Sequence, residues 1–295
     1  MKNRIKAFTI VELLTVIAVI SILVGLTVPA LNQARWMVRE KAVQADLKNY
    51  ELGLNTFYND MGFYPSSKPR EAIYFEPDTM TAMKIPEQGA DILYESLVGL
   101  DQVGYQKENF YYRDPLTAAP WNAVGPTTRS NLYVEINPEK IGSLKECYPA
   151  AAFLGIKTVF IDGLDAERKR PILYYRANSN GDLLYDPDLT APPYQIYDYT
   201  HNMGITSMPL ALGGSPAFLM PPDHGITVGM PPTTPREYFS YYILNPEAGT
   251  SDFRNAAARP YKPDTFLLIS AGRDGIYGPN PEENYKIDDI TNFRK

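Results

Sequence analysis

Cysteine and histidine are nearly missing from this 295-residue chain: Cys147 stands alone, and His201 and His224 are the two imidazoles. A single thiol forms no internal disulfide, and so few Cys and His residues argue against a zinc cluster. A basic surplus is missing as well. With 28 Lys and Arg against 34 Asp and Glu the net charge is −6, whereas a nucleic-acid binder carries a concentrated positive surface, so no nucleic-acid partner is expected. There is no complete Gly-x-Ser-x-Gly elbow, P-loop, dinucleotide fingerprint, metalloprotease helix or clear internal repeat. These absences remove the motif-bearing enzyme classes, and the expectation is a protein without catalytic activity. Low complexity is excluded too: 20 Gly and 26 Pro stay below the roughly 25–30% share that marks such chains. A hydrophobic content of 44% supports a folded core.

What the chain has in quantity is one apolar run. Lys2, Arg4 and Lys6 precede it, and from Leu13 to Ala34 no charged residue occurs until Arg35. That is long enough to cross a bilayer, which takes about 20 apolar residues. Positive charge before the run and an acidic remainder after it predict a cytoplasmic N-terminus with the rest of the chain outside. A secretory signal peptide is the alternative, with a shorter apolar region and a cleavage site near Ala30 or Ala34.

Two features weigh against that alternative. Glu12 places a carboxylate at the entrance of the apolar segment, where charge is costly unless paired and reads as functional. The helical pattern also continues past Pro29 to about Tyr58: Val43, Leu47, Tyr50, Leu54 and Phe57 recur every three or four residues on one face. Phe8 to Tyr58 would form a rod of about 75 Å. Pro29, with Gly25 close by, is expected to kink or melt a turn of it.

Beyond the rod, Asp91 to Leu100 reads as a short helix ending near Gly99. Leu132–Ile136, Thr158–Ile161, Ile172–Tyr175 and Thr265–Ser270 read as strands. Arg236–Leu244 fits neither period cleanly and stays open between helix and strand. Pro192–Pro232 contains three Pro-Pro pairs and reads as loop. The 22 tyrosines suit packing against Pro-rich loops better than a sugar-binding surface. Asn178-Ser179-Asn180-Gly181-Asp182 reads as a turn rather than an ion site. Near the C-terminus, Asp274, Asp288 and Asp289 flank a loop rich in oxygen donors. It suits either a hard cation such as Ca²⁺ or a solvated acidic turn; EF-hand spacing is absent.

The string Lys6-Ala7-Phe8-Thr9-Ile10-Val11-Glu12-Leu13-Leu14 resembles the prepilin processing and methylation motif of type IV pilins and type II secretion pseudopilins. The family usually has Gly where this chain has Ala7. Phe57 to Pro65 resembles the turn that leaves the long helix in the major pseudopilins. Phe266 to Gly278 together with Asp288 to Phe293 is similar to that group's last strand and calcium loop. Arg273 and Lys286 depart from that pattern by adding positive charge. The resemblance covers the first sixty and last thirty residues.

The resemblance implies an α+β fold: a long N-terminal transmembrane helix packed on a globular head with a small antiparallel sheet, enlarged by a loop-rich insertion. It implies a leader over 1–7, a long helix over 8–60 with its membrane span about 10–31, and a periplasmic head over 61–295 with the insertion at about 100–260. A prepilin peptidase would cut between Ala7 and Phe8, and Phe8 would then be N-methylated. Glu12 would pair with the Phe8 ammonium of a neighbouring subunit, and Asp274, Asp288 and Asp289 would hold Ca²⁺. The implied protein is a single-pass protein of the bacterial inner membrane. Its partners are further copies, other pseudopilins, the inner-membrane assembly platform and lipid, and its filament supports protein export. A type IV pilus subunit serving adhesion, motility or DNA uptake stays open. So does a membrane-anchored binding protein or enzyme that works through the Pro/Tyr-rich head.

Overall fold

The computed structural model describes residues 10–68, 71–75, 82–99, 102, 104–105, 132–135, 137–149, 157–164, 169–186, 194–206, 234–279 and 286–294. The chain divides into two units, Met1–Ala42 and Val43–Lys295. Helix α1, Ile10–Met61, runs through the boundary and has 52 residues, or about 78 Å.

In the first unit α1 is long and apolar enough to cross a membrane, and none of its most apolar window is buried. Its few hydroxyls turn back onto the helix itself. Thr15 donates to the Glu12 carbonyl at 2.9 Å and Ser21 to the Ile17 carbonyl at 2.7 Å, which leaves little polar demand on the surroundings. The interruption expected at Pro29 does not occur: the helix is unbroken from Ile10 to Met61. Proline removes one backbone bond, to the carbonyl four residues back, and the adjoining turns hold the helix together.

In the second unit the periodic stripe is buried as its spacing predicts: Val43, Leu47, Tyr50, Leu54 and Phe57. Tyr50 stacks on Phe160 with ring centroids 4.2 Å apart, and Phe57 meets Phe63 and Tyr105 edge-on. Gly53 lies on the same face because the chain at Tyr133-Val134 runs against it: a Cβ there would sit 2.5 Å from Val134 Cγ2. Ion pairs from Asp46 to Lys140, at 2.7 Å, and from Glu51 to Lys262 rim this face.

The rest of the unit is a set of short elements. Strands β1 (Glu71–Phe75) and β2 (Ala82–Pro86) form an antiparallel pair. Helix α2 (Gly89–Val98) is buried along its whole length. Its start is fixed by the Gln88 N–H donating to Asp91 Oδ2 at 3.0 Å, and its end by Gly99. Strand β3 (Ile141–Ser143) leads into the single turn α3 (Leu144–Cys147) and pairs antiparallel with β4 (Thr158–Phe160).

Strand β5 (Leu173–Arg176) is followed by the short parallel pair β6 (Gly181–Leu183) and β7 (Tyr194–Gln195). After a 3₁₀ turn at Tyr199–Asn202 come α4 (Met203–Thr206) and α5 (Pro235–Ile243). Strands β8 (Phe266–Ser270) and β9 (Ile290–Thr291) complete an antiparallel sheet in the order β5-β8-β9. The layout is α+β: a long apolar helix and a head with small, mostly antiparallel sheets.

Three expected strands are present within a residue or two. The fourth is not: residues 132–135 are irregular, and Ile136 lies outside the described residues. Their hydrogen bonds go elsewhere, the Tyr133 N–H to the Leu97 carbonyl and the Tyr133 hydroxyl to Asp60. Arg236–Leu244 resolves as helix, since Thr234 and Glu237 cap α5 reciprocally and Pro235 occupies its first turn.

The stretch at about 100–260, expected as a loop-rich insertion, is integral to the head. It supplies β5, which pairs with β8 from Leu173↔Ile269 to Arg176↔Phe266. It also supplies core residues including Val159, Tyr175, Tyr197, Phe239 and Ile243, packed with Leu267 and Ile269. The Pro-rich segment 207–233 lies outside the described residues. Tyr94, Tyr174, Tyr175 and Tyr197 are fully buried, so these tyrosines serve packing.

Candidate functional site

At the N-terminal end, Glu12 is the acidic residue in the first turn of α1. The processing residues Ala7 and Phe8 lie outside the described residues.

The C-terminal acids are brought together by the last two strands. Ser270 of β8 pairs with Ile290 of β9, which sets Asp288 and Asp289 against the turn at 271–275. Gly272 permits the approach: its φ is +67°, and a Cβ there would lie 2.4 Å from Asp288 Oδ1. Asp288 Oδ2 accepts from the N–H groups of Arg273 and Asp274 at 2.9 and 3.2 Å. Asp274 Oδ1 accepts from Ile276, and Asp289 Oδ2 from Gly278 at 2.7 Å. Each carboxylate thus spends one oxygen on the loop backbone, while Asp274 Oδ2, Asp288 Oδ1 and Asp289 Oδ1 are buried.

Burial pushes the Asp289 carboxyl well above the usual range; the Tyr242 hydroxyl and Gly278 N–H oppose this, and Asp288 and Asp274 reinforce it. Mutually repelling acids with buried oxygens in a half-buried loop are the electrostatic setting that a cation relieves. The donor chemistry, hard oxygen throughout, fits Ca²⁺. Among the described residues, though, no group of three His, Cys, Asp or Glu side chains has metal-holding spacing. Residues 280–285 of this loop lie outside the described residues.

Two further groupings have no sequence motif. Lys157 is buried against Glu87 and Asp91, at 3.4 and 3.3 Å, and burial raises the Asp91 carboxyl to about 6 against the pull of Lys157. The other grouping resembles a hydrolytic relay. Ser67 Oγ lies 2.7 Å from His201 Nδ1, and His201 Nε2 lies 3.7 Å from Asp198 Oδ2.

Its chemistry is that of a tether. Ser67 is 1% exposed and accepts the Arg176 N–H at 2.8 Å, so its hydroxyl is committed to the β5 backbone and to His201. Burial lowers His201 to about 4, Asp198 opposing and Lys68 adding to the shift, so the imidazole is a weak base at neutral pH. Cys147 is equally quiet: burial pushes its thiol up to about 12, leaving little thiolate.

No protein-family model, curated protein or solved structure matches this chain.

Proposed function

We propose that this chain is a structural subunit of a type IV pilin-like filament, of the type II secretion pseudopilus kind. The observation that carries the reading is helix α1. Its first half is apolar, exposed and marked by one acid in the first turn, and its second half carries the buried stripe of the head. An exposed apolar helix of this length demands lipid before assembly and other helices after it. In this reading the head stands in the periplasm and Met1–Ala7 is the cytoplasmic leader, removed by a prepilin peptidase.

Assembly follows from the same segment. Glu12 accepts the ammonium of Phe8 from the next subunit, and that pair sets the register of neighbouring helices. Repeating one such head-to-tail contact does not close, so it grows a helical filament. The filament then works with the inner-membrane platform in protein export. Calcium belongs to the proposal as well, held by Asp274, Asp288 and Asp289 to lock the C-terminal loop. A pilus subunit shares every feature used here and differs in the machine it serves.

The test is the intact mass and N-terminal sequence of the membrane-bound protein, made with and without a prepilin peptidase. Loss of Met1–Ala7 and gain of one methyl on Phe8 is the expected result. An uncut N-terminus points to a static anchor, and cleavage near Ala30 or Ala34 to a secreted protein; either overturns the proposal.

A further inference from the structure

Beside the Ser67–His201 tether lies a groove of about 550 Å³, within the range of small-molecule sites. Three segments meet there: the chain leaving α1 at Ser66–Lys68, the end of β5 with the turn Asn178–Asn180, and β7 with the following 3₁₀ turn. Its charge is unbalanced. Lys68 and Arg176 both line it, and neither has an ion-pair partner among the described residues. Lys68 is exposed and Arg176 half-buried, so both reach solvent.

Asp198 is the acid among the lining residues; one of its oxygens is hydrogen-bonded and the other lies 3.7 Å from His201 Nε2. Oδ1 accepts the N–H and hydroxyl of Thr200 at 2.9 and 2.7 Å, and Oδ2 faces His201. His201 is held neutral by burial, so it adds no positive charge at neutral pH.

The remaining lining narrows the ligand. Asn178 and Asn180 are exposed; Asn178 Oδ1 accepts the Asn180 N–H at 3.0 Å, so Asn178 offers its NH₂ donors while the Asn180 amide can both donate and accept. Tyr194 is 37% exposed where it lines the groove. A planar guanidinium suits a carboxylate, paired amides suit vicinal hydroxyls, and an exposed aromatic face suits the apolar face of a pyranose ring.

We infer that this groove is a binding site for an acidic sugar, the carboxylate seated between Arg176 and Lys68, the hydroxyls on Asn178 and Asn180, and the ring against Tyr194. The site is independent of the filament reading, since its residues lie in the head and outside α1, on which that reading rests. A chain that is cleaved and methylated but takes no sugar would refute this inference alone.

The test is a calorimetric titration of the full chain in detergent micelles with sodium glucuronate, beside glucose, acetate and inorganic phosphate. Saturable glucuronate binding about tenfold tighter than each of the others is expected, weakening as salt rises. Arg176→Gln should lose about tenfold, with Arg176→Lys retaining part of the affinity. Tyr194→Ala should weaken glucuronate and leave acetate unchanged. Circular dichroism of each variant separates lost binding from lost fold, and Lys68→Gln, on an exposed loop, provides a second probe. Absence of glucuronate uptake, equal affinity for glucose, equal affinity for phosphate or acetate, or folded Arg176→Gln and Lys68→Gln proteins with parental affinity would each overturn the inference.

Discussion

The Ser270 hydroxyl of β8 donates to Asp162 Oδ2 at 3.0 Å, and both side chains are at least 98% buried. Burial raises this carboxyl to about 7 despite Ser270, the Leu164 N–H and the charges of Arg170 and Lys140. A carboxyl raised on folding stabilises most below its unfolded value near 4, and that contribution fades as pH climbs to about 7. His201, lowered to about 4, acts in the opposite sense: its contribution is intact above about 6.5 and fades as pH falls toward 4. Urea unfolding between pH 4 and 8 should therefore show a shallower fall with rising pH in Asp162→Asn, with Asp91 and Asp289 retaining part of the slope. His201→Gln should steepen that fall, having lost the opposing contribution. Parental pH slopes in both variants would reject this assignment.

Gly53→Ala reverses the usual helix rule. In an exposed helix interior this change gains about 0.5–1 kcal/mol. Here the new methyl meets Val134 Cγ2 at 2.5 Å and the Tyr133 carbonyl oxygen at 3.1 Å, an overpacking that costs about 1–3 kcal/mol. Gly25→Ala is the control, since its Cβ meets nothing within 4 Å. Head stability should fall in the first variant and stay level in the second; a stabilised Gly53→Ala protein would contradict the packing described.

Calcium, if the proposed loop holds it, should raise the thermal midpoint of the full chain. A ligand at a hundred times its Kd contributes about 2.7 kcal/mol. Asp289→Asn should abolish the response to calcium. Identical melting in calcium and in chelator would remove the metal from the proposal and leave the acids as a backbone clamp.

Glu12→Ala tests assembly apart from insertion. Membrane fractionation should find the variant inserted like the parent, because the apolar run is untouched. Filaments should fail to form, as leaving the partner ammonium unpaired in an apolar bundle costs about 3–5 kcal/mol. Filaments of normal abundance and length from this variant would refute the pairing.

The sequence exposed α1 because an apolar run and a three-four spacing are local signals that need no partner to be read. The stripe from Val43 to Phe57 is buried as its period requires. The helix at Pro235–Ile243 was harder, because Tyr238, Phe239, Tyr241 and Tyr242 suit a strand as well. Its capping residues, Thr234 and Glu237 with Pro235 between them, were the available cue. Leu132–Ile136 misled by composition, its described residues bonding to α2 and α1 instead of to a strand. The acids at 274, 288 and 289 were visible as a cluster, whereas the groove at Lys68 and Arg176 was not. Its residues come from three distant segments that only the fold brings together.

The pairing of β5 with β8 also sets an order on synthesis. Leu173 and Ile269 are register partners, so the central strand, five buried residues from Phe266 to Ser270, reaches its neighbour only after all the residues between them have emerged. Until then the edge of β5 stays open, and long-range antiparallel pairing of this kind is slow to form. Translation of this head therefore leaves an interval in which a β-rich segment is exposed, and a chaperone that covers Leu173–Arg176 would have its largest effect in that interval.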